Sequence, residues 1–297
     1  MKVIAPITMT DALLVHSNVA ESDAPAWDGV TSYDLGAQVM SLASHRVFQA
    51  VTGAEAGNDP EVGDLTKWIP VSATNRWKAF DLTIQDQVEN PGTITYTITP
   101  DSLVTGIAFL GLEAAEVRVQ IVAAGYDKTI SLVDDTEVVD WFSFFTWDAE
   151  QFDTEALFTG LPGYSGNEIV ITIGDGTGTA RVGQIVLGKV VELGVTLDGA
   201  AIGITDFSIK EQDDFGNLSL VERGFAAETS FPFKLPTADA LRVKRVLTKL
   251  RATPSVYFAG EHITHYGATV FGFYEDFEIP LSSGGTSFAT LTIKGLV

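Results

Sequence analysis

Between residues 77 and 195 the chain repeats one device, a short alternating run of Val, Ile, Thr and aromatic residues closed by turn residues. TITYTITP (93–100) follows the turn Asn90-Pro91-Gly92, and TGIAFLGL (105–112), EVRVQIVAAGY (116–126), KTISLVDD (128–135), NEIVITIGDG (167–176) and GQIVLGKVVELGV (183–195) continue the series. Alternation with a period of two suits a half-buried strand, and β-branched and aromatic side chains pack well on a pleated surface. No helical period competes between the runs, which argues against an α/β chain with a parallel sheet. The spacing predicts an antiparallel β-sandwich over 72–195, of jelly-roll type. The fold class is accordingly mainly β.

Three further segments complete the predicted plan. Residues 1–23 read as an extended N-terminal arm with a short strand at 3–7, and 24–71 as a small aromatic module. Residues 196–297 read as a second β block holding one helix at 237–250. Thr237 follows Pro236 as its N-cap, and Asp239 in the first turn favours the helix dipole. Ala240, Val243, Leu247 and Leu250 recur on one face of that helix. Its other side carries Arg242, Lys244, Arg245 and Lys249, which with Lys234 and Arg251 make a positive island in an acidic chain.

Acidic residues outnumber basic ones by 39 to 18, for a formal charge of -21 over 297 residues. Such an excess repels a phosphate backbone, so nucleic acid is not an expected partner. The chain has no cysteine, which removes disulfides and thiolate-metal chemistry. The apolar run near the N-terminus is broken by Pro6, Thr8, Thr10 and Asp11, unlike a secretion signal. No stretch approaches the ~20 apolar residues of a spanning helix, so membrane insertion is not expected.

Catalytic signatures are absent. His262 and His265 stand beside Glu261, but an H-x-x-H pair needs a helix or a converging third ligand to hold a metal, and they read as surface or interface histidines. His16 and His45 have no sequence neighbours that suggest a role. Residues 174–179 (GDGTGT) lack the lysine and following helix of a phosphate loop and the acidic ligands of a calcium loop; a flexible hairpin turn is the simpler reading. Asp134-Asp135 and Asp213-Asp214 lie in polar turns. No nucleophile elbow appears. The expectation is a non-enzyme with no metal, no cofactor and no catalytic residues.

Aromatic clusters remain. The segment 24–71 sets Trp27, Tyr33, Phe48 and Trp68 around short apolar runs, and so few residues build only a small core. These four either form that core or face outward as a binding platform. Trp141, Phe142, Phe144, Phe145 and Trp147 crowd into 140–147. They read as a packed strand, with a subunit contact through Trp141 and Trp147 as the alternative.

The pattern Ala24-x-x-Trp27, Tyr33-x-x-Gly36-x-x-Val39, His45-x-Val47-Phe48-x-Ala50, Asn58-Asp59-Pro60 and Trp68 resembles the small chitin-binding-type carbohydrate modules. In sugar-binding members an exposed aromatic pair follows the aromatic-x-Ala strand; here Val51 and Thr52 occupy those positions, which favours a miniature core. Such modules resemble domains of bacteriophage tail and baseplate proteins. The opening at 1–21, the join SATNRWKAFD (72–81) and the close at 271–297 are similar to phage tail proteins of siphophage or Mu-like type. That resemblance implies a structural component of the tail tip or baseplate (distal tail), present in multiple copies in the virion and assembled in the host cytoplasm. Implied partners are other tail proteins and copies of itself, with Arg242, Lys244, Arg245 and Lys249 as contact residues. Host-surface contact through a glycan, as a carbohydrate-binding adhesin, is the alternative.

Overall fold

The computed structural model describes residues 1–64, 66–133, 140–141, 153–212, 218–259, 268–281 and 284–296. The protein is mainly β, with several sheets and a helix near the C-terminus. At the N-terminus lie β1 (Lys2–Pro6) and β2 (Leu14–Ser17). The aromatic segment contributes β3 (Gln38–Ser41), β4 (Arg46–Ala50) and β5 (Trp68–Ala73), paired in that order as a three-stranded antiparallel sheet.

Eight strands follow: β6 (Val88–Pro91), β7 (Ile94–Ile98), β8 (Val104–Glu113), β9 (Glu116–Ile121), β10 (Tyr126–Ser131), β11 (Glu155–Gly163), β12 (Ile169–Ile173) and β13 (Thr179–Glu192). They pair antiparallel in two layers, β6-β13-β8-β11 and β7-β12-β9-β10. Consecutive strands alternate between the layers except at β9-β10, which is the jelly-roll order. The predicted period of two is kept: Ile94, Tyr96 and Ile98 of β7 and Ile169, Ile171 and Ile173 of β12 point into one core. Facing them are Ile107, Phe109, Phe158, Val182 and Leu187 from the other layer. The GDGTGT turn is present, with Asp175 Oδ1 accepting from the backbone N–H and hydroxyl of Thr177. It is not a hairpin, however: it joins β12 to β13 across the two layers.

The remaining strands are β14 (Val195–Thr196), β15 (Ala201–Asp206), β16 (Ile209–Gln212), β17 (Leu218–Val221), β18 (Phe225–Pro236), β19 (Ser255–Phe258), β20 (Thr269–Phe277) and β21 (Thr286–Gly295). All but β16 and β17 belong to a sheet that is continuous with the jelly roll. Long β13 carries β8 along one edge; on the other it carries β6 at Thr179–Val182 and β1 at Gly188–Glu192. From β1 the order runs on through β19, β20, β21 and β18. The strand expected in the N-terminal arm is thus a bridge inside the largest sheet, and β2 pairs with β7. One sheet likewise crosses the boundary expected at 195/196.

The predicted helix splits at its start. Residues Thr237–Asp239 form a 3-10 turn, and α1 spans Ala240–Leu250. Thr237 is not the N-cap: Pro236 precedes the 3-10 turn and Asp239 the α-helix, neither with a side-chain cap, and the Thr237 hydroxyl meets that of Ser287 at 3.0 Å. Ala240, Val243, Leu247 and Leu250 are buried against Phe231, Phe233, Leu291 and Ile293, as the spacing predicts. The Tyr274 hydroxyl donates to the Leu247 carbonyl at 2.6 Å and ties the helix to β20.

Candidate functional site

In the aromatic module the four sequence-predicted residues converge, but inward. Trp68 is 3% exposed, Phe48 is buried beside it with Val39, Ala50 and Ala54, and the half-buried Trp27 and Tyr33 pack on this cluster. Tyr33 and Trp68 meet edge to face at 5.4 Å, a favoured aromatic geometry. Trp68 Nε1–H donates to the Asn58 carbonyl at 3.2 Å, satisfying the one polar atom of the indole. The Tyr33 hydroxyl accepts the Asp28 N–H at 2.8 Å. An outward stacking platform is not formed by these rings; they are the module's core.

One face of the module still carries a cleft of about 490 Å³, lined by Ser44, Arg46, Pro60, Glu61, Pro70 and the margins of Phe48 and Trp68. Glu61 accepts a hydrogen bond from the Ser41 hydroxyl. That bond, with Ser44 next and Arg46 the smallest contribution, holds the Glu61 carboxyl below its ordinary range. A carboxylate and a guanidinium above apolar walls can hold a polar ligand by complementary hydrogen bonds.

The module is fastened to the body at His45. Its ring stacks on Trp77 at 4.2 Å, Nε2 lies 2.8 Å from Asp11 Oδ1, and Nδ1 lies 3.2 Å from Glu21 Oε1. Arg76 reaches the same Glu21 oxygen at 3.6 Å and donates from Nε to the Val19 carbonyl at 2.8 Å. His45, isolated in sequence, is therefore the meeting point of three segments. Its φ of 54° is a left-handed conformation uncommon outside glycine and asparagine.

A different surface was missed in the sequence. Every residue of β15 is exposed, Ile204 to 67%, and β15 uses one edge to pair with β18. Among the described residues no strand pairs with its other edge. Beyond it, β16 and β17 form a separate two-stranded ribbon that exposes Leu218, Val221 and Leu220, the last to 64%. Together with Phe207 and Phe225 these side chains make an apolar arm projecting from the second sheet. Isolated apolar side chains on a surface are ordinary; several beside an unpaired edge are the kind of surface on which another chain can pair.

The basic residues expected on the helix are placed as predicted. Lys244, Arg245 and Lys249 are exposed, while Arg242 is partly used within the chain, donating to the Glu192 carbonyl at 2.8 Å and lying 3.6 Å from Asp239. Trp141 is 77% exposed. Trp147, Glu261, His262, His265 and both acidic pairs, Asp134-Asp135 and Asp213-Asp214, lie outside the described residues. Among the described residues no group of three His, Cys, Asp or Glu side chains is placed to hold a metal, and no helix is long and apolar enough to cross a membrane. Comparison with protein-family models, curated proteins and solved structures finds no match to the chain.

Proposed function

We propose that the protein is a structural subunit that assembles in multiple copies, as a component of a bacteriophage tail tip or baseplate. The observation that carries this reading is the apolar arm. A two-stranded ribbon is marginal in water unless a third strand or another layer covers it. An edge strand with an apolar face invites pairing with a second chain. The β15 edge and the strip of Ile202, Ile204, Leu218 and Leu220 supply both elements on one projection. The exposed cations of α1 offer acidic neighbours a complementary face in a chain of net charge -21.

The tail-tip assignment rests on the resemblance of the chain's opening, join and close to phage tail proteins, together with the jelly roll, a fold used for capsid and lectin domains. In particles made from the genome that encodes the chain, antibody-gold labelling is expected at the tail tip. Particles without the protein, or labelling of the head alone, would overturn it.

A second reading is favoured by the module's cleft: host-surface contact through a glycan held by Arg46 and Glu61. Binding on a glycan array that is lost in Glu61→Gln would support it, and a silent array would count against it.

A further inference from the structure

Along β13, the edge shared by β6 and β1 is interrupted. Pairing with β6 ends at Val182 of β13 and pairing with β1 begins at Gly188, so among the described residues the stretch between takes no strand partner on that side. At one end of the gap the Ile84 carbonyl sits over Gly183 so closely that a Cβ there would lie 2.1 Å from its oxygen; only glycine admits this approach. At the other end the Ile7 N–H donates to the Leu187 carbonyl at 2.9 Å. Between them opens a cavity of about 200 Å³ at the seam of the jelly roll and the second sheet.

Its walls are apolar, from Ile7, Met9, Phe80, Leu82, Pro254 and Phe271. No Lys, Arg or His lines it. Its polar side chains are the hydroxyls of Thr8 and Thr253 and two groups, Asp81 and Gln184, that present acceptors in need of donors. Gln184 is 4% exposed, and its side-chain carbonyl oxygen has no hydrogen-bond partner. Buried polar atoms are nearly always paired, so this one marks an unmet interaction. Asp81 accepts a single backbone N–H, from Thr83 at 2.7 Å. Burial, with Asp86 adding repulsion, pushes its carboxyl up to about 6. Of the two cations whose charge reaches it, Lys78 is engaged with Asp86 at 2.8 Å and Arg46 lines the module's cleft.

Apolar walls, two acceptors and no lining cation define the complementary ligand. We propose that this cavity binds a small organic ammonium ion, whose apolar body lies against Phe80, Pro254 and Phe271 and whose N–H groups reach Asp81 and Gln184. The volume equals that of about six or seven waters at ~30 Å³ each, enough for an ammonium on a short aryl-alkyl chain. This site is independent of the arm and of the module's cleft.

Titration of the whole chain with phenethylammonium at physiological salt, followed by amide NMR, tests it. Saturable shifts are expected at residues 80–82 and 184–186. Neutral 2-phenylethanol should bind at least tenfold more weakly. Tetramethylammonium, which has no N–H, should give no saturation; it controls for attraction by the acidic surface. Asp81→Asn should lower affinity at least tenfold with the spectrum otherwise folded, and Gln184→Met several-fold. Equal binding of the alcohol and the ammonium, an unchanged affinity in Asp81→Asn, or no saturation at all would overturn the proposal.

Discussion

The aromatic module and the arm are both small, three- or two-stranded and rich in apolar side chains, yet they dispose of them in opposite directions. In the module, β3, β4 and β5 wrap Phe48 and Trp68 against Val39 and Ala50, and Tyr33 closes the edge. In the arm, no layer among the described residues covers β15, β16 and β17, and Ile204 and Leu220 face out. Apolar density alone does not separate a core from a contact surface. What separates them is whether the chain returns to cover the face. In the module it returns from 54 to 68; in the arm, among the described residues, it does not.

The largest expected effect is in the module. Trp68→Ala removes a buried indole and its hydrogen bond and should cost about 3–5 kcal/mol. Denaturant unfolding followed by near-UV dichroism measures it. A loss under 1 kcal/mol would mean the ring is a surface group after all. The equivalent truncation in the arm, Leu220→Ala, should change the stability of the dilute protein by no more than about 0.5 kcal/mol.

A charged residue sharpens the same inside–outside contrast within the jelly roll. Burial, with Asp153 adding repulsion, pushes the Glu155 carboxyl from 4.5 up to about 7. A raised carboxyl stabilises the fold below the unfolded value and loses that contribution as pH rises through the folded value. Stability should therefore fall between about pH 4.5 and 7, by about 3 kcal/mol through this group. Glu155→Gln should flatten that fall in melts taken across the window; an unchanged profile would place the carboxylate in solvent.

The clasp at His45 is a smaller test of how the module is held. His45→Ala removes the stacking on Trp77 and leaves Glu21 with Arg76 alone, a loss of about 1–2 kcal/mol. Faster amide exchange should appear at 18–23 and 72–77, with the Trp68 core retained. Uniform exchange across the body instead would show that the clasp supports the jelly roll rather than the module.

Much of the fold was legible because its signals are local. The alternation in TITYTITP and NEIVITIG specifies which side chains enter the sandwich, and Ala240, Val243, Leu247 and Leu250 specify the buried face of α1. Pairings between distant segments leave no such mark. Lys2–Pro6 reads as one short strand, and nothing in it announces β13 on one side and β19 on the other. His45 finds Asp11 and Glu21, distant in sequence, only after the chain has folded back. The arm was unread for another reason: Ile202, Ile204, Leu218 and Leu220 alternate just as half-buried strands do, and alternation does not reveal whether a cover exists. Gln184, a polar residue inside an apolar strand, is a local trace of the seam cavity that went unread.

Mass photometry or light scattering across a concentration series, on the wild-type chain and on Ile204→Asp/Leu220→Asp, tests the arm as the contact between copies most directly. Concentration-dependent multimers are expected for the wild type, and a folded monomer with unchanged melting for the double variant. A wild type that stays monomeric at all concentrations, or multimers that persist in the variant, would contradict the arm's role.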